Sequence, residues 1–351
     1  MSPRPLRLAT YNVEWMNALF DDAGRLLFDH ELSARYKVTR AMQLEALGIV
    51  FTALDADGII IIEAPDTSHR RSTVTALQSF ARQFGLRARN AMIGFASGTE
   101  QEIAFLYDPD RLTVGHDPRG APANSHGAPG APRFDTILRY DFNADGVDEA
   151  ISFSKPPLEI TALDGDRTLH LIGVHAKSKG PHGQVSPEDF RRISIDNRRK
   201  QLAECHWLRR RAEEHLTAGE NLIVMGDFND GPGIDKYERV FGKSGVEVVM
   251  GLDGPVPLQL TEPHALMALT QHIGLHPTTA RFWLAPQKAY FEALLDFIMV
   301  SPDLAATKPV WRIWHPFNDP KIMAVPELRD AILTASDHFP VTIELTLPAL
   351  S

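Results

Sequence analysis

The sequence predicts a mixed α/β chain built as two packed sheets with helices on the outside. Two observations carry this prediction. Short apolar runs of strand composition recur along the 351 residues, several of them ending on a single polar residue. Stretches of helical periodicity separate the early runs, whereas the later runs crowd together, the pattern of sheets stacked on each other rather than one open parallel sheet.

In chain order, Leu6-Arg7-Leu8-Ala9-Thr10-Tyr11 delivers Asn12 and predicts a strand over 6–12. Apolar positions Val38, Met42, Leu44, Leu47, Val50, Phe51 and Leu54 predict a helix over Arg35–Leu54. Gly58-Ile59-Ile60-Ile61-Ile62 delivers Glu63, a strand over 58–63, and Val74, Leu77 and Phe80 mark a second helix over Ser68–Phe84. Strands are expected at 101–107, 151–162 and 168–175, the last delivering His175, and a third helix runs from near Pro187 towards Leu216. Asn221-Leu222-Ile223-Val224-Met225 then enters Gly226-Asp227-Phe228-Asn229, a strand over 221–226. Leu294-Leu295 leads into Asp296 within a strand over 294–300, and a strand over 339–346 follows Ser336-Asp337-His338.

A core strand has no intrinsic use for these terminal polar residues, because an unpaired carboxylate or imidazole costs several kcal/mol to bury. Convergence on one site removes the conflict. Singly, each has a plainer reading: Asn12 as a strand-end turn residue, Glu63 as a solvated loop acid before Pro65, His175 as a satisfied core histidine, Asp296 as a cap or turn acid.

Taken together, an early Asn, a Glu, a His, a Gly-Asp-x-Asn, a late Asp and a terminal Ser-Asp-His resemble the endonuclease/exonuclease/phosphatase superfamily, from Thr10 to Val341. The resemblance implies the DNase I-like fold, an α+β four-layer α-β-β-α sandwich of two mainly antiparallel sheets. It also implies a phosphoric ester hydrolase. By position, Glu63 resembles the main metal carboxylate, with Asn12 and Asp337 near the same ion, Mg²⁺ or Mn²⁺. Asp227 matches the acid that orients or deprotonates the attacking water, and Asn229 the amide that holds that acid and a phosphate oxygen. His338 matches the histidine at the scissile phosphate, Asp296 its carboxylate partner, and His175 a second phosphate-facing residue.

The residue types suit the chemistry. Hydrolysis of a phosphodiester brings an anionic nucleophile to an anionic centre, which calls for a cation at the phosphate oxygens and water held in line. Carboxylate and amide oxygens such as those of Glu63, Asn12 and Asp337 suit a hard ion. Asp227 could take the water's proton if burial and neighbouring anions raise its pKa, and Asp296 beside His338 would favour an imidazolium. The sequence leaves the proton between Asp227 and His338.

His175-Ala176-Lys177-Ser178-Lys179 resembles the His-x-Lys-Ser-Lys of a bacterial branch that includes extracellular nucleases. Lys155, in Ser154-Lys155-Pro156-Pro157, stands where that branch more usually has Arg, which keeps charge but loses the bidentate fork. Arg198 belongs to an arginine-rich stretch from Arg191 to Arg211, readable as a solvated helix face or as a track for a phosphate backbone. Phe282 and Trp283 are candidate stacking rings for single-stranded bases.

Composition agrees with this reading. A net charge of −9 lowers the expectation of strong non-specific duplex binding without excluding a local basic strip, and 44% hydrophobic residues allow a substantial core. One domain is expected over 1–351, with loop insertions near 115–133, a mobile surface loop, and 231–290. Asp141–Glu149 places acids and a glycine as in a calcium loop, but Ser152 holds the twelfth place, so a polar hairpin turn is favoured over Ca²⁺. No apolar run near 18 residues and no basic amphipathic N-terminus are present, which predicts no membrane span, no signal peptide and a cytoplasmic location. Cys205 is the one cysteine, expected as a buried thiol.

Three functions are open at this point. A metal-dependent nuclease is favoured by the Lys-Ser-Lys turn, the arginine stretch and the two rings. A phosphodiesterase or phosphatase for a small molecule or lipid head group is favoured by the acidic balance and long loops, although Leu294-Leu295-Asp296-Phe297 lacks the Trp-x-Asp-Arg of the inositol-phosphatase branch. A silent binding module is disfavoured because clustered carboxylates without a metal repel one another. The partner expected is nucleic acid or another phosphodiester, with no obligate protein partner.

Overall fold

A computed structural model describes residues 4–141, 146–180, 186–233, 242–270, 274, 276–284 and 288–347. Its strands are β1 (Leu6–Asn12), β2 (Gly58–Ala64), β3 (Asn90–Ile93), β4 (Glu102–Tyr107), β5 (Leu112–His116), β6 (Leu138–Tyr140), β7 (Glu149–Ile151), β8 (Leu158–Asp164), β9 (Arg167–His175), β10 (Leu222–Asp227), β11 (Ala280–Leu284), β12 (Ala289–Ala293), β13 (Asp296–Val300), β14 (Val310–Ile313) and β15 (Val341–Leu345). The three long helices are α1 (Arg40–Leu54), α2 (Thr73–Gln83) and α3 (Pro187–Thr217).

One sheet has the order β14-β15-β1-β2-β4-β3 and the other β13-β10-β9-β8-β5. Most neighbours run antiparallel; β1–β2 and β9–β10 are parallel. The pleat sorts each strand into two faces. Leu6, Leu8, Ile60 and Ile62 meet Leu171, Ile223, Met225 and Ile298 in the core between the sheets. On the outer face of the first sheet, Ala9, Tyr11, Ile59 and Ile61 pack under Leu47, Phe51 and Phe80 of α1 and α2. On the second, Ile172, Val174, Leu222 and Val224 pack under Ala203, Trp207, Leu208 and Ala212 of α3. The result is the four-layer α-β-β-α sandwich.

The structure corrects several boundaries. Thr39, not Arg35, starts α1: its side chain accepts from the Met42 N–H, while Lys37 at φ +61° holds a left-handed turn that no helix can contain. Ser72 likewise caps α2, four residues after the predicted start. The expected strand 151–162 is two strands, because Pro156 and Pro157 cannot donate to a ladder. That break leaves Lys155 off the sheet.

The 115–133 insertion is tied down rather than standing free. Trp207 Nε1 donates to the Pro132 carbonyl at 3.0 Å, Arg210 to that of Gly130 at 3.0 Å, and Arg211 to that of Ala131 at 2.7 Å. Of the Asp141–Glu149 segment, 142–145 lie outside the described residues; β6 and β7 flank it as an antiparallel pair with Tyr140 opposite Glu149. Within 231–290 the described residues form helices Gly245–Met250 and Pro263–Thr270 and begin the β11–β12 hairpin. Cys205 is buried. Among the described residues no helix is long and apolar enough to cross a membrane.

Candidate active site

Strand parity and register assemble the polar strand ends. Asn12, His175, Asp227 and Asp296 all continue the inward-facing rows of β1, β9, β10 and β13, at the edge where those rows run out of apolar residues. In the ladders Asp227 stands opposite His175 on one side and Asp296 on the other. Gly226 makes this crowding possible: at φ +145° it has no Cβ, and one placed there would lie 2.0 Å from the Val174 carbonyl oxygen.

Glu63 arrives by a different device. The β2–β4 register slips between Ile62 and Ala64, and Glu63 sits in the bulge at φ +63°. A left-handed glutamate is strained, and the bulge turns its side chain out of the ladder towards the site. Its Oε2 accepts from the Trp15 N–H at 2.9 Å. Asn229 is also left-handed, at φ +49°.

These elements enclose a cavity of about 610 Å³ at the mouth between the sheets. All the residues nominated from the sequence line it except Asp296, Lys179, Arg198 and Trp283. Asp296 lies just behind, with its Oδ2 2.8 Å from His338 Nδ1. On its other side, His338 Nε2 faces Asp227 Oδ2 at 4.0 Å and Asp337 Oδ1 at 3.9 Å. Asp227 accepts from the Asn229 N–H at 2.7 Å and from Asn12 Nδ2 at 3.1 Å. Ser336 ties the parts together, donating to the Asn12 carbonyl at 2.7 Å and accepting from the His338 N–H at 3.0 Å.

The electrostatics follow from this packing. Burial pushes the Asp227 carboxyl up to about 7, against the pull of His338 and with the added push of Asp296. Burial by itself depresses His338, but the Asp296 and Asp227 carboxylates outweigh it and hold the imidazole up at about 10. His175 goes the other way: buried, and beside Lys155 and His338, it is held well below the usual range. Lys155 Nζ lies 3.1 Å from His175 Nε2, so the ammonium donates to a neutral ring. Burial also raises Glu63 above the ordinary carboxylate range, a penalty on charge that a bound cation would relieve.

The donor set suits a hard divalent ion. Glu63, Asp337 and Asn12 line one cavity and bring carboxylate and amide oxygens to it, that of Asn12 also accepting from the Glu14 N–H at 3.1 Å. Ligand atoms of Asp227, Asp296 and His338 also lie within 4.8 Å of one another. His338, held protonated by Asp296 and Asp227, has no lone pair to offer an ion, which makes that group the poorer cradle for Mg²⁺.

Arg198 and Lys179 require correction. Arg198 is wholly buried, with Nη1 2.6 Å from Asp230 and 2.7 Å from Gln201, and Lys179 Nζ lies 2.7 Å from the same Asp230. A buried carboxylate needs partners, so these two cations serve the fold under the Asn229 turn instead of facing a backbone track. Arg209 and Arg211 are buried too, and only part of the stretch, including Arg191, Arg192 and Arg199, is exposed. Trp283 lies outside the cavity, more than half exposed, its ring edge-on to Tyr290 at 5.1 Å. Phe282 does reach in, edge-on to the His338 ring at 5.5 Å.

Sequence reasoning missed Glu14, Glu204 and Trp15. Glu14 accepts from the Asp337 N–H at 2.8 Å and pairs with Arg35. Glu204, on α3, accepts from the Lys177 N–H at 2.8 Å and is raised to about 7 by burial, against the pull of that N–H and the nearby lysines. Its one signal is an acid on the apolar face of a long helix.

A two-sheet sandwich whose shared mouth gathers carboxylates, amides and a charged imidazole defines the class of protein. A family model described as the Endonuclease/Exonuclease/phosphatase family matches residues 153–338, more than half of the chain, and the chain belongs to that family. It is a phosphoric ester hydrolase, in a family generally dependent on divalent metal. The fold is similar to an AP endonuclease from Archaeoglobus fulgidus, with a TM-score of 0.51 at 12% identity over 97% of this chain and 100% of that one. It is similar to TDP2 from Caenorhabditis elegans, with a TM-score of 0.50 at 12% identity over 97% of this chain and 74% of that one. The human Nocturnin catalytic domain gives 0.49 at 14% identity over 98% and 96%. At such identities the likeness is one of fold. No curated protein matches the chain significantly.

Proposed function

We propose that this chain is a divalent-metal-dependent nuclease that cleaves DNA or RNA by in-line attack of water. The observation that carries the reading is the arrangement across one cavity: Asp227, held by Asn229 and Asn12, faces at 4.0 Å the Nε2 of a His338 clamped by Asp296, with burial raising the acid to about 7 and the two carboxylates raising the imidazole to about 10. A histidine already carrying its proton cannot act as base at neutral pH, which leaves that role to Asp227.

Glu63, Asn12 and Asp337 would hold the ion. When bound it would neutralise charge on the phosphate oxygens. Asp227, fixed by Asn229 and Asn12, would orient the water and take its proton. His338, kept cationic and aligned by Asp296, would hold a phosphoryl oxygen through Nε2. Neutral His175 with Lys155 beside it, and Lys177 on the cavity wall, would face further phosphate oxygens, and Asn229 would position both the acid and the phosphate. Phe282 supplies a ring at the scissile site, and the β11–β12 hairpin carries aromatic surface outward through Trp283 and Tyr290. Such a run suits stacked bases of a single strand.

Hydrolysis of plasmid, single-stranded DNA, RNA and bis-p-nitrophenyl phosphate, compared in Mg²⁺, Mn²⁺ and EDTA with Asp227→Ala as blank, tests this. Polymer cleavage that EDTA and the variant both abolish is expected. Turnover of the small diester alone would instead identify a small-molecule phosphodiesterase.

A further inference from the structure

A second group of metal-type side chains lies at the far end of the β9–β10 pair. His170 is five residues before His175 on β9, about 17 Å along the strand from the cavity. It belongs to the outer row, facing α3 rather than the core between the sheets.

Chain ends converge there for a local reason. α3 stops at Ala218, and Gly219 at φ +70° turns the chain back, so that the Gly219 N–H meets the Leu216 carbonyl and the Glu220 N–H meets that of His215, both at 3.1 Å. This closure lays Glu220 over His215, whose Nδ1 is 2.7 Å from Glu220 Oε2. One residue further, the Asn221 carbonyl accepts from the His170 N–H at 2.8 Å, which brings the second ring alongside, 5.1 Å between centroids.

Tautomers make the group informative. The Thr161 hydroxyl donates to Asp117 at 2.6 Å, so towards His170 Nδ1, 3.3 Å away, it has only a lone pair to offer. His170 therefore carries its hydrogen on Nδ1 and points the bare Nε2 at Glu220 Oε1, 3.8 Å off. Two acceptors face each other across a gap too long for a hydrogen bond, the arrangement a cation resolves. Arg119 grips the same carboxylate at 2.7 and 2.8 Å, the kind of outer partner that ligating carboxylates usually have.

We propose that His170, His215 and Glu220 form a zinc site that clips the end of α3 to the sheet. Their ligand atoms lie within 4.8 Å of one another. A tetrahedral ion with bonds of about 2.1 Å needs its ligands about 3.4 Å apart, so side-chain rotations close the site as the ion releases to solvent the proton that His215 Nδ1 donates to Glu220 Oε2 at 2.7 Å. Two imidazoles and one carboxylate select a borderline ion such as Zn²⁺ over Mg²⁺, and the carbonyl end of α3 adds negative potential.

The test uses the full chain, stripped of metal and kept in excess Mg²⁺, titrated with Co²⁺ by visible absorption and with Zn²⁺ by calorimetry. The expected result is one tight equivalent displaced by Zn²⁺ but not by Mg²⁺, weakened at least about tenfold in His170→Gln and Glu220→Gln and about tenfold in Thr161→Val, and kept in Asp296→Asn. Zn²⁺ should also raise Tm in the wild type but not in Glu220→Gln. Affinity unchanged in Glu220→Gln and Thr161→Val, or lost in Asp296→Asn, overturns the proposal. Mg²⁺-dependent hydrolysis equal to wild type certifies that the His170, Glu220 and Thr161 variants are folded; should His170→Gln misfold, the other two decide.

Discussion

His338 Nδ1 and Asp296 Oδ2 lie 2.8 Å apart, joining the first residue of β13 to a turn 42 positions further along the chain. The bond makes the imidazole a cation and points its other nitrogen into the cavity. The pH dependence of turnover should follow from it. Activity should rise with pH as Asp227 loses its proton through about 7, or lower once a cation is bound, and fall as His338 loses its own towards about 10. In Asp296→Asn the imidazole loses its main anionic support, so the alkaline limb of kcat/KM should move to lower pH. An alkaline limb that stays in place would remove His338 from the mechanism.

Glu63→Gln should leave the fold intact and raise the Mg²⁺ concentration for half-maximal rate by about tenfold or more, since it removes a ligating charge. A metal titration of initial rate reads this directly, and an unshifted midpoint would assign the ion elsewhere.

Gly226→Ala should destabilise by about 3 kcal/mol or more and abolish turnover. The added Cβ meets the Val174 carbonyl at 2.0 Å and must push β9 from β10 beside Asp227 and His175. Urea unfolding and the hydrolysis assay together check it; a stable, active variant would mean that the two strands separate easily.

Arg198 and Lys177 should behave oppositely. Arg198→Ala leaves Asp230 short of a buried partner and should cost roughly 3–5 kcal/mol. Lys177→Ala should leave the urea midpoint near wild type while raising KM for nucleic acid and flattening its salt dependence. A change in salt slope for Arg198→Ala without loss of stability would restore the backbone-track reading.

His206, packed against Tyr140 and near Arg210 and Lys243, is lowered to about 4, first by burial and then by those two cations. The folded state keeps it neutral while the unfolded chain titrates near 6.5, so its contribution is present above that pH and drains away as pH falls towards 4. Urea midpoints at pH 7.5 and 5 should therefore diverge less in His206→Gln than in the wild type.

Much of this was legible in the sequence because it is local. Four apolar runs ending in Asn12, Glu63, His175 and Asp227 state both where strands lie and where they stop, Asp296 opens its strand after Leu294-Leu295, and Ser336-Asp337-His338 completes the set. The period-2 pleat then fixes which face each residue joins, so the inner row of every site strand could have been written down in advance. Edge strands such as β3, β5 and β14 escaped, since four or five half-buried residues carry no distinctive period.

The tertiary structure decided what depends on partners distant in sequence. Lys155, Lys179 and Arg198 are all cations near one motif, yet the first faces the cavity and the other two neutralise Asp230. No local pattern separates them, because the field on a side chain is set by whatever packs against it. The same holds for the proton states of Asp227 and His338 and for the meeting of His170 with His215 and Glu220. Residue order determined the chemistry available to this protein; burial and long-range pairing determined which groups are charged, which are spent on the fold, and which are left to act.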